Sequence, residues 1–122
     1  MTIHTVNQEN FDAFIKQNDL IVIDFSAEWC SPCKSFAKVF DKAATEFPQA
    51  AFGNIDIDKQ PQLAKDFNVL SIPFVLILRR GIAVFAQAGS MSFATLANLI
   101  RQAESLDIAQ IEQKIREQES KK

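Results

Sequence analysis

The feature that most constrains this chain of 122 residues is its only pair of cysteines, Cys30 and Cys33, which stand at the junction of two contrasting segments. Residues 20–25, just before the pair, form a mostly apolar run that is typical of a strand buried on both faces. Residues 34–47 carry phenylalanines and alanines at helical spacing. The sequence therefore predicts a Cys-x-x-Cys motif at the point where a strand passes into the first turn of a helix.

This position has a chemical consequence for the first sulfur. The unpaired N–H groups of the first turn and the positive end of the helix dipole lie close to Cys30, and both favour its thiolate. The thiolate is the nucleophile in disulfide exchange. Cys33 follows one turn later on the same face, and Pro32 suits a first turn because its missing N–H group is not needed there. The pair is therefore interpreted as a redox-active dithiol.

Other interpretations of the pair remain open from the residues alone. A structural disulfide at this spacing would close only a short loop and would constrain the unfolded chain little. A zinc site would find two thiolates and the single histidine, His4, which is too few for four-coordination. A metal shared between two chains and two unrelated buried cysteines are further alternatives. The spacing between a strand and a helix favours the redox interpretation, and we expect no bound metal.

The residues around the pair resemble those of one protein family. Segment 22–34, which reads VIDFSAEWCSPCK, is similar to the active-site segment of the thioredoxins. Ile72 and Pro73 precede an apolar run and resemble the cis-proline pair of that family. Gly89 falls where the family has a glycine beside the active site. The resemblance extends over residues 3–102.

This resemblance implies both a fold and an activity. The fold is α/β, the thioredoxin fold, in which a central mixed β-sheet is flanked by helices on both faces. The implied activity is that of a protein-disulfide reductase, in which Cys30 attacks a disulfide of a client protein and Cys33 resolves the mixed disulfide. Such proteins need no cofactor beyond the redox-active disulfide itself, and an NADPH-dependent flavin reductase recycles it. We expect a thioredoxin-like domain at 1–102 and a C-terminal helical extension at 103–122.

The apolar periodicity along the chain agrees with this fold. It predicts the element order βαβαβαββα, with an α/β sheet covered on both sides. A helix is expected after a cap at Asn7, and the last helix of the domain is expected to start near Ser92. The predicted strands are 3–6, 20–25, 51–57, 74–78 and 82–87, and the other predicted helices are 34–47 and 61–67.

Asp24 is a carboxylate within an otherwise apolar strand, and such a group is costly to bury unless it is neutral or partnered. Burial raises the pKa of a carboxyl group toward the range in which it exchanges a proton with a thiol. The resemblance implies that Asp24 is the acid–base group that serves Cys33. The alternative is an aspartate close enough to the strand end to reach water.

Residues around the cysteines are expected to form a surface that binds client proteins. Cis bonds are a small minority of X–Pro bonds, so spacing alone favours a trans bond before Pro73. The resemblance instead implies a cis bond that places the Ile72 backbone beside Cys30, where it pairs with an extended client segment. A tryptophan can be a plain core residue, but Trp29 is expected to flank the site. The expected client-binding residues are Trp29, Pro32, Ile72, Pro73 and Gly89.

Four positions depart from the family pattern. Ser31 stands where a glycine is usual, and its hydroxyl is expected to tune the redox potential by donating a hydrogen bond to a thiolate. Ser26 replaces a common tryptophan, Ser71 replaces a glycine, and Asn54 replaces a lysine that lies near the buried acid. Loss of that positive charge is expected to raise the pKa of Asp24 further. These departures indicate a clientele of the protein's own.

The segment 103–122 carries a short amphipathic pattern. Ile108, Ile111 and Ile115 share one helical face, and Asp107 precedes them as a cap. We expect a helix that packs on its own domain or prolongs the preceding helix, in a monomer. A docking helix or a dimer seam is the alternative, although three apolar turns fall short of the heptads that a coiled coil requires.

Composition and charge exclude several other classes of protein. A net charge of −2 offers no basic surface for nucleic acid or an anionic membrane, and no apolar run reaches transmembrane length. The first residues lack the basic flank and apolar core of a signal peptide, so we expect a cytoplasmic protein, in which a cysteine pair is more often catalytic than structural. The alternative function is a binding module that holds a specific partner, with redox turnover incidental.

Overall fold

The structure, a computed structural model, describes residues 2–120 and contains five strands and five helices within that range. Met1, Lys121 and Lys122, which belong to the predicted domain and extension, lie outside the described residues. The strands are β1 (Ile3–Thr5), β2 (Leu20–Ser26), β3 (Ala51–Asp56), β4 (Phe74–Arg79) and β5 (Ile82–Ala88). The helices are α1 (Phe11–Gln17), α2 (Ser31–Glu46), α3 (Pro61–Asp66), α4 (Phe93–Ser105) and α5 (Ile108–Ser120).

The five strands form one mixed sheet in the order β1-β3-β2-β4-β5. Strands β1, β3 and β2 are parallel, whereas β4 runs antiparallel to β2 and β5 antiparallel to β4. Residues 20–25 of the central strand β2 are all buried, as expected for a strand with helices on both sides. The predicted α/β fold and its element order are confirmed, with α5 as an added element.

Alternation of side chains along β2 divides the core into two layers. Leu20 and Val22 pack with the apolar faces of α2 and α4 on one side of the sheet. Ile21 and Ile23 pack with Phe14 of α1 and with α3 on the other side. Asp24 follows Val22 by two residues and therefore faces the side covered by α2.

The antiparallel pairing defines two ends of the sheet. Phe25 of β2 is paired with Phe74 of β4, so the carboxyl end of β2 and the start of β4 lie together. The opposite end is closed by the β4–β5 hairpin, where Arg80 and Gly81 have φ values of 49° and 79°. Positive φ at both central residues matches the type I′ turn that joins twisted antiparallel strands.

The first helix begins later than predicted. Asn7 and Asn10 exchange two hydrogen bonds, in which each backbone N–H donates to the other's side-chain Oδ1 at 2.9 and 2.8 Å. This reciprocal pair closes a separate turn before the helix, so α1 starts at Phe11 rather than directly after Asn7. The capping role of Asn7 is retained in that turn.

The C-terminal segment forms a separate helix rather than a prolongation of α4. Asp107 caps α5 by accepting a hydrogen bond from the Gln110 N–H at 3.1 Å. Ile108 is 3% exposed, and Glu112 lies 3.3 Å from Arg80 at the hairpin end of the sheet. Ile115 is 38% exposed, so α5 packs on its own domain through its first turns only. No helix within residues 2–120 is long and apolar enough to cross a bilayer.

Candidate active site

The two cysteines lie together at the start of α2. Cys30 is the N-cap residue of the helix, Cys33 lies in its first turn, and the two form a disulfide with their Cα atoms 5.2 Å apart. Pro32 occupies the first turn, as predicted. Both cysteine side chains belong to a small buried cluster against Ile72 and Ile57. Among residues 2–120, no group of three or more histidine, cysteine or acidic side chains is arranged to hold a metal.

The helix N-terminus supplies the electrostatic setting of the first cysteine. The Cys33 N–H donates a hydrogen bond to Cys30 Sγ at 3.2 Å, and the Lys34 N–H donates to the Cys30 carbonyl oxygen at 3.2 Å. None of the residues described in the first turn of α2 is acidic, so no carboxylate within that turn offsets the helix dipole. This arrangement favours a thiolate at Cys30 when the pair is reduced.

The loop before β4 lies against the disulfide. The Ile72–Pro73 peptide bond is cis, in agreement with the sequence-based expectation. The Ile72 carbonyl oxygen lies 3.9 Å from Cys30 Sγ, and the Gly89 N–H donates a hydrogen bond to the Pro73 carbonyl oxygen at 2.8 Å. Gly89 has a φ of 104°, a backbone conformation that side chains disfavour. Ile72, Pro73 and Gly89 therefore form one connected backbone unit beside Cys30.

An open groove of about 530 Å³ passes over the disulfide, with mostly apolar side chains along it. Leu70 is 94% exposed and Trp29 is 68% exposed, which is unusual for large apolar residues. The Trp29 Nε1–H donates a hydrogen bond to Asp58 Oδ2 at 2.9 Å, which fixes the indole ring. The groove is lined by Trp29, Cys30, Ser31, Pro32, Ile57, Val69, Leu70, Ser71 and Ile72.

Asp24 is buried in the sheet face that α2 covers. Its side chain is inaccessible, with the residue 2% exposed, and its Oδ1 atom has no hydrogen-bond partner among the described residues. Burial raises the pKa of Asp24 from its ordinary value of 3.8 to about 7. The pKa of the carboxyl group therefore lies near neutral pH, in the range of acid–base groups that act at that pH.

Two of the unusual serine and asparagine positions meet next to Asp24. The Asn54 Nδ2 atom donates hydrogen bonds to Ser26 Oγ at 2.9 Å and to the Asp24 carbonyl oxygen at 3.2 Å. Asn54 is paired with Asp24 in the sheet register. Asn54 therefore lies next to Asp24, as expected for the position at which the family has a lysine, but it carries no charge.

Sequence reasoning located part of this site and missed part of it. Of the predicted client-binding residues, Trp29, Pro32 and Ile72 line the groove, whereas Pro73 and Gly89 do not line it and are joined to Ile72 through the backbone. The missed residues are Ile57, Val69, Leu70, Ser71 and the tryptophan partner Asp58. The sequence did offer one signal for this loop, the adjacent apolar residues Val69 and Leu70 just before Ser71.

Comparisons with known proteins agree with this geometry. The thioredoxin family profile matches residues 2–102. A protein of Streptomyces coelicolor described as a thioredoxin is 43% identical over 115 residues, which cover 94% of this chain and 86% of the relative. The thioredoxin of Chlamydia pneumoniae is 35% identical over 98 residues, which cover 80% of this chain and 95% of the relative.

Solved structures give the same result. The oxidised mitochondrial thioredoxin 3 of Saccharomyces cerevisiae is 32% identical and has a TM-score of 0.76, with 82% of this chain and 94% of that chain covered. A mutant thioredoxin of Halobacterium salinarum is 29% identical and has a TM-score of 0.79, with coverage of 84% and 91%. The Streptomyces match is longer than the family domain, so it extends into the C-terminal segment.

Proposed function

The chain belongs to the thioredoxin family, and from that premise we propose which of its residues carry out each step of disulfide exchange. The protein is a thiol-disulfide oxidoreductase that reduces disulfides in client proteins, and its redox group is its own cysteine pair. One observation carries the assignment of residues. The Cys30–Cys33 disulfide lies at the N-terminus of α2, where the Cys30 sulfur meets an apolar groove.

In the first step, the Cys30 thiolate of the reduced protein attacks one sulfur of a client disulfide. A bond forms between Cys30 and that sulfur, the client S–S bond breaks, and the second client sulfur leaves as a thiolate that takes a proton from solvent. The helix N-terminus and the hydrogen bond from the Cys33 N–H support Cys30 as the attacking residue.

In the second step, Cys33 gives its proton to the carboxylate of Asp24, and its sulfur attacks Cys30 Sγ. The Cys30–Cys33 bond forms, the bond between Cys30 and the client breaks, and the client sulfur leaves as a thiolate. Two electrons have then passed from the cysteine pair to the client. The position of Asp24 on the sheet face covered by α2, and its pKa of about 7, support this role.

Client proteins bind along the groove in an extended conformation. Trp29, Pro32 and Ile72 supply apolar contact area, and the Ile72 backbone is the natural partner for a client strand beside the reacting sulfur. Gly89 and Pro73 hold that backbone in place through their hydrogen bond. Apolar contact and a short backbone pairing suit clients that differ in sequence.

Recycling, location and assembly complete the proposal. A flavin reductase that draws on NADPH returns the disulfide to the dithiol, and the protein works as a monomer in the cytoplasm. The packing of Ile108 against its own domain supports the monomer. We assign 1–102 to the catalytic domain and 103–122 to the helical extension, and the end of the family match at residue 102 supports this boundary. A molecular mass that rises with concentration would contradict the monomer.

Single-cysteine variants test the order of attack. With insulin as the client, Cys33→Ser is expected to accumulate a covalent adduct through Cys30, because attack proceeds while resolution is lost. Cys30→Ser is expected to form no adduct and to reduce no insulin, with Ser35→Ala on the exposed face of α2 as the control. An adduct that forms through Cys33 in the Cys30→Ser variant would reverse the assignment. The binding module would be favoured if Cys30→Ser bound insulin as tightly as the native protein does and the native protein reduced insulin only very slowly.

A further inference from the structure

A second concavity lies at the same end of the sheet as the groove but shares no lining residue with it. It has a volume of about 290 Å³ and lies at the carboxyl ends of the three parallel strands. Polar and charged side chains dominate its lining. The lining residues are Thr5, Val6, Ser26, Ala27, Glu28, Asn54, Asp56, Lys59 and Gln60. We name it the polar pocket.

Two departures from the family pattern make the inner wall of the polar pocket. Ser26 is the last residue of β2 and Asn54 lies on β3, and both are half-buried. The Asn54 amide donates to Ser26 Oγ at 2.9 Å, which occupies one acceptor position of the hydroxyl. The hydroxyl hydrogen and a second lone pair stay available. A tryptophan at position 26 would offer an N–H donor but no acceptor, so this chain has gained a hydroxyl that can both donate and accept a hydrogen bond.

Ser26 is also close to the buried carboxyl group. Asp24 and Ser26 are two residues apart on β2 and face the same side of the sheet, which separates their Cβ atoms by roughly 6–7 Å. One water molecule spans such a gap with two ordinary hydrogen bonds. Asp24 itself is closed to solvent, and its Oδ1 atom has no partner among the described residues. The Ser26 hydroxyl is therefore a polar group between Asp24 and the polar pocket.

We propose that Ser26, held in place by Asn54, is a positioning residue for proton transfer that connects the Asp24 carboxyl group with solvent through the polar pocket. This inference rests on the proposed role of Asp24 as the proton acceptor of Cys33. The proton that Cys33 releases passes to Asp24 and then, along a hydrogen-bonded path oriented by Ser26, to water in the pocket. No oxidant or reductant takes part, because only a proton moves.

The location of the path explains its use. During the second step the client covers the groove, so the route to solvent past Cys30 is blocked at the moment when the proton must leave. The polar pocket shares no lining residue with the groove, so a client that fills the groove does not fill the pocket. Besides Cys33 on α2, the ionisable groups around this path are Glu28, Asp56 and Lys59, which lie at the pocket rim. Val75, the neighbour of Asp24 on β4, carries no ionisable group.

Valine and threonine at position 26 test the path, since they have the same shape and differ in the hydroxyl. The reaction is single-turnover reduction of insulin followed by quenched flow, in which attack by Cys30 releases the first client sulfur and attack by Cys33 releases the second. With Ser26→Val, the second release is expected to split into two phases. Molecules with ionised Asp24 complete the second release promptly. Those with protonated Asp24 complete it at about a tenth of that rate or less, because the proton of Asp24 cannot pass to solvent. The slow fraction should grow as the pH falls through about 7.

Two controls decide the outcome. Ser26→Thr is expected to restore a single fast phase, and Ser35→Val, which removes a hydroxyl from the exposed face of α2 outside the pocket, is expected to change nothing. Equal second releases in the native, Ser26→Val and Ser26→Thr proteins would overturn the proposal. Equal slowing in both Ser26 variants would also overturn it, since packing would then be the cause. Asp24→Asn separates the two hypotheses: if it leaves the second release fast, the role of Asp24 fails, whereas if it alone slows that release, only the path fails.

Discussion

The Nη1 atom of Arg79 donates a hydrogen bond of 2.6 Å to the carbonyl oxygen of Ala103 in the last turn of α4, 24 residues away. The same atom donates to the Glu104 carbonyl oxygen at 2.9 Å, and Nη2 lies 3.3 Å from a carboxylate oxygen of Asp19. Arg79 is 8% exposed, so a buried cation at the end of β4 binds the last carbonyl groups of α4, of which that of Ala103 also accepts the Leu106 N–H at 3.4 Å.

Replacing this cation is expected to destabilise the fold without affecting the chemistry. Arg79→Met keeps the apolar stem but removes the hydrogen bonds to the Ala103 and Glu104 carbonyl oxygens, and we expect a loss of about 2 kcal/mol in the free energy of unfolding. The measurement is urea unfolding, in which the dependence of the free energy of unfolding on urea concentration should be the same for the variant and the native protein. Arg80→Met is the matched control, because Arg80 also contacts Asp19 but is largely exposed and its ion pairs contribute little. Equal losses in the two variants would show that Arg79 does not cap α4.

Asp24 is expected to make stability depend on pH. Its pKa is raised from 3.8 to about 7 in the folded protein, so between these values the folded state holds a proton that the unfolded state has released. The free energy of unfolding therefore falls as the pH rises through this interval, by roughly 4 kcal/mol at most. Asp24→Asn should lose this fall and gain stability relative to the native protein above neutral pH. Urea unfolding on both sides of this pH interval measures the change in the free energy of unfolding. Asp41→Asn, at an exposed position, is the control and should keep the pH dependence of the native protein.

Ser31 is expected to raise the redox potential of the cysteine pair. It lies in the first turn of α2 with an exposed side chain, where its hydroxyl can donate to a thiolate and stabilise the reduced form. One such hydrogen bond contributes about 0.5–1.5 kcal/mol, which corresponds to about 10–30 mV for a two-electron couple. Ser31→Ala should therefore lower the midpoint potential by that amount. Trp29 fluorescence in a graded thiol–disulfide buffer measures it, and an unchanged or higher potential would remove Ser31 from this role.

Leu70 is expected to contribute to the binding of protein clients. Its side chain is 94% exposed on the groove, so it has apolar area to bury only when a client is bound. Burial of a leucine side chain is worth about 1.5–3 kcal/mol, so Leu70→Ser should lower kcat/KM for a protein disulfide by about tenfold or more. A small aromatic disulfide should be reduced at the native rate, and stability should not change. Leu106→Ser, at an exposed leucine beyond α4, is the control; equal effects in both variants would exclude a role in binding.

How much of this was predictable depends on whether a contact is local. The Cys-x-x-Cys motif, the buried strand that carries Asp24 and the helix after Cys33 were predicted because each is encoded by neighbouring residues or by a short period. The contacts of the Arg79 guanidinium were not predicted, because its partner carbonyls come from a helix whose position only the folded sheet determines. The boundary of α1 was wrong because the reciprocal bonds of Asn7 competed with helix initiation.

The groove shows the same limit. Trp29 and Ile72 were placed by their proximity to recognisable motifs, but Ile57 comes from the end of a different strand and enters the groove only through tertiary packing. Leu70 was passed over because a short apolar pair in a loop, here Val69 and Leu70, is ordinarily unremarkable. Its near-complete exposure beside a reactive disulfide is a property of the folded loop.

The packing of α5 at the hairpin end of the sheet has a practical consequence. The cysteines lie at the end of the sheet where β4 begins, and Arg80, which contacts α5, follows the last residue of that strand about 17 Å away. A dye, a fused reporter or a linker to a bead or electrode joined through α5 would be held on the far pole of the molecule. The protein can thus be immobilised through this helix with its disulfide turned toward the solution.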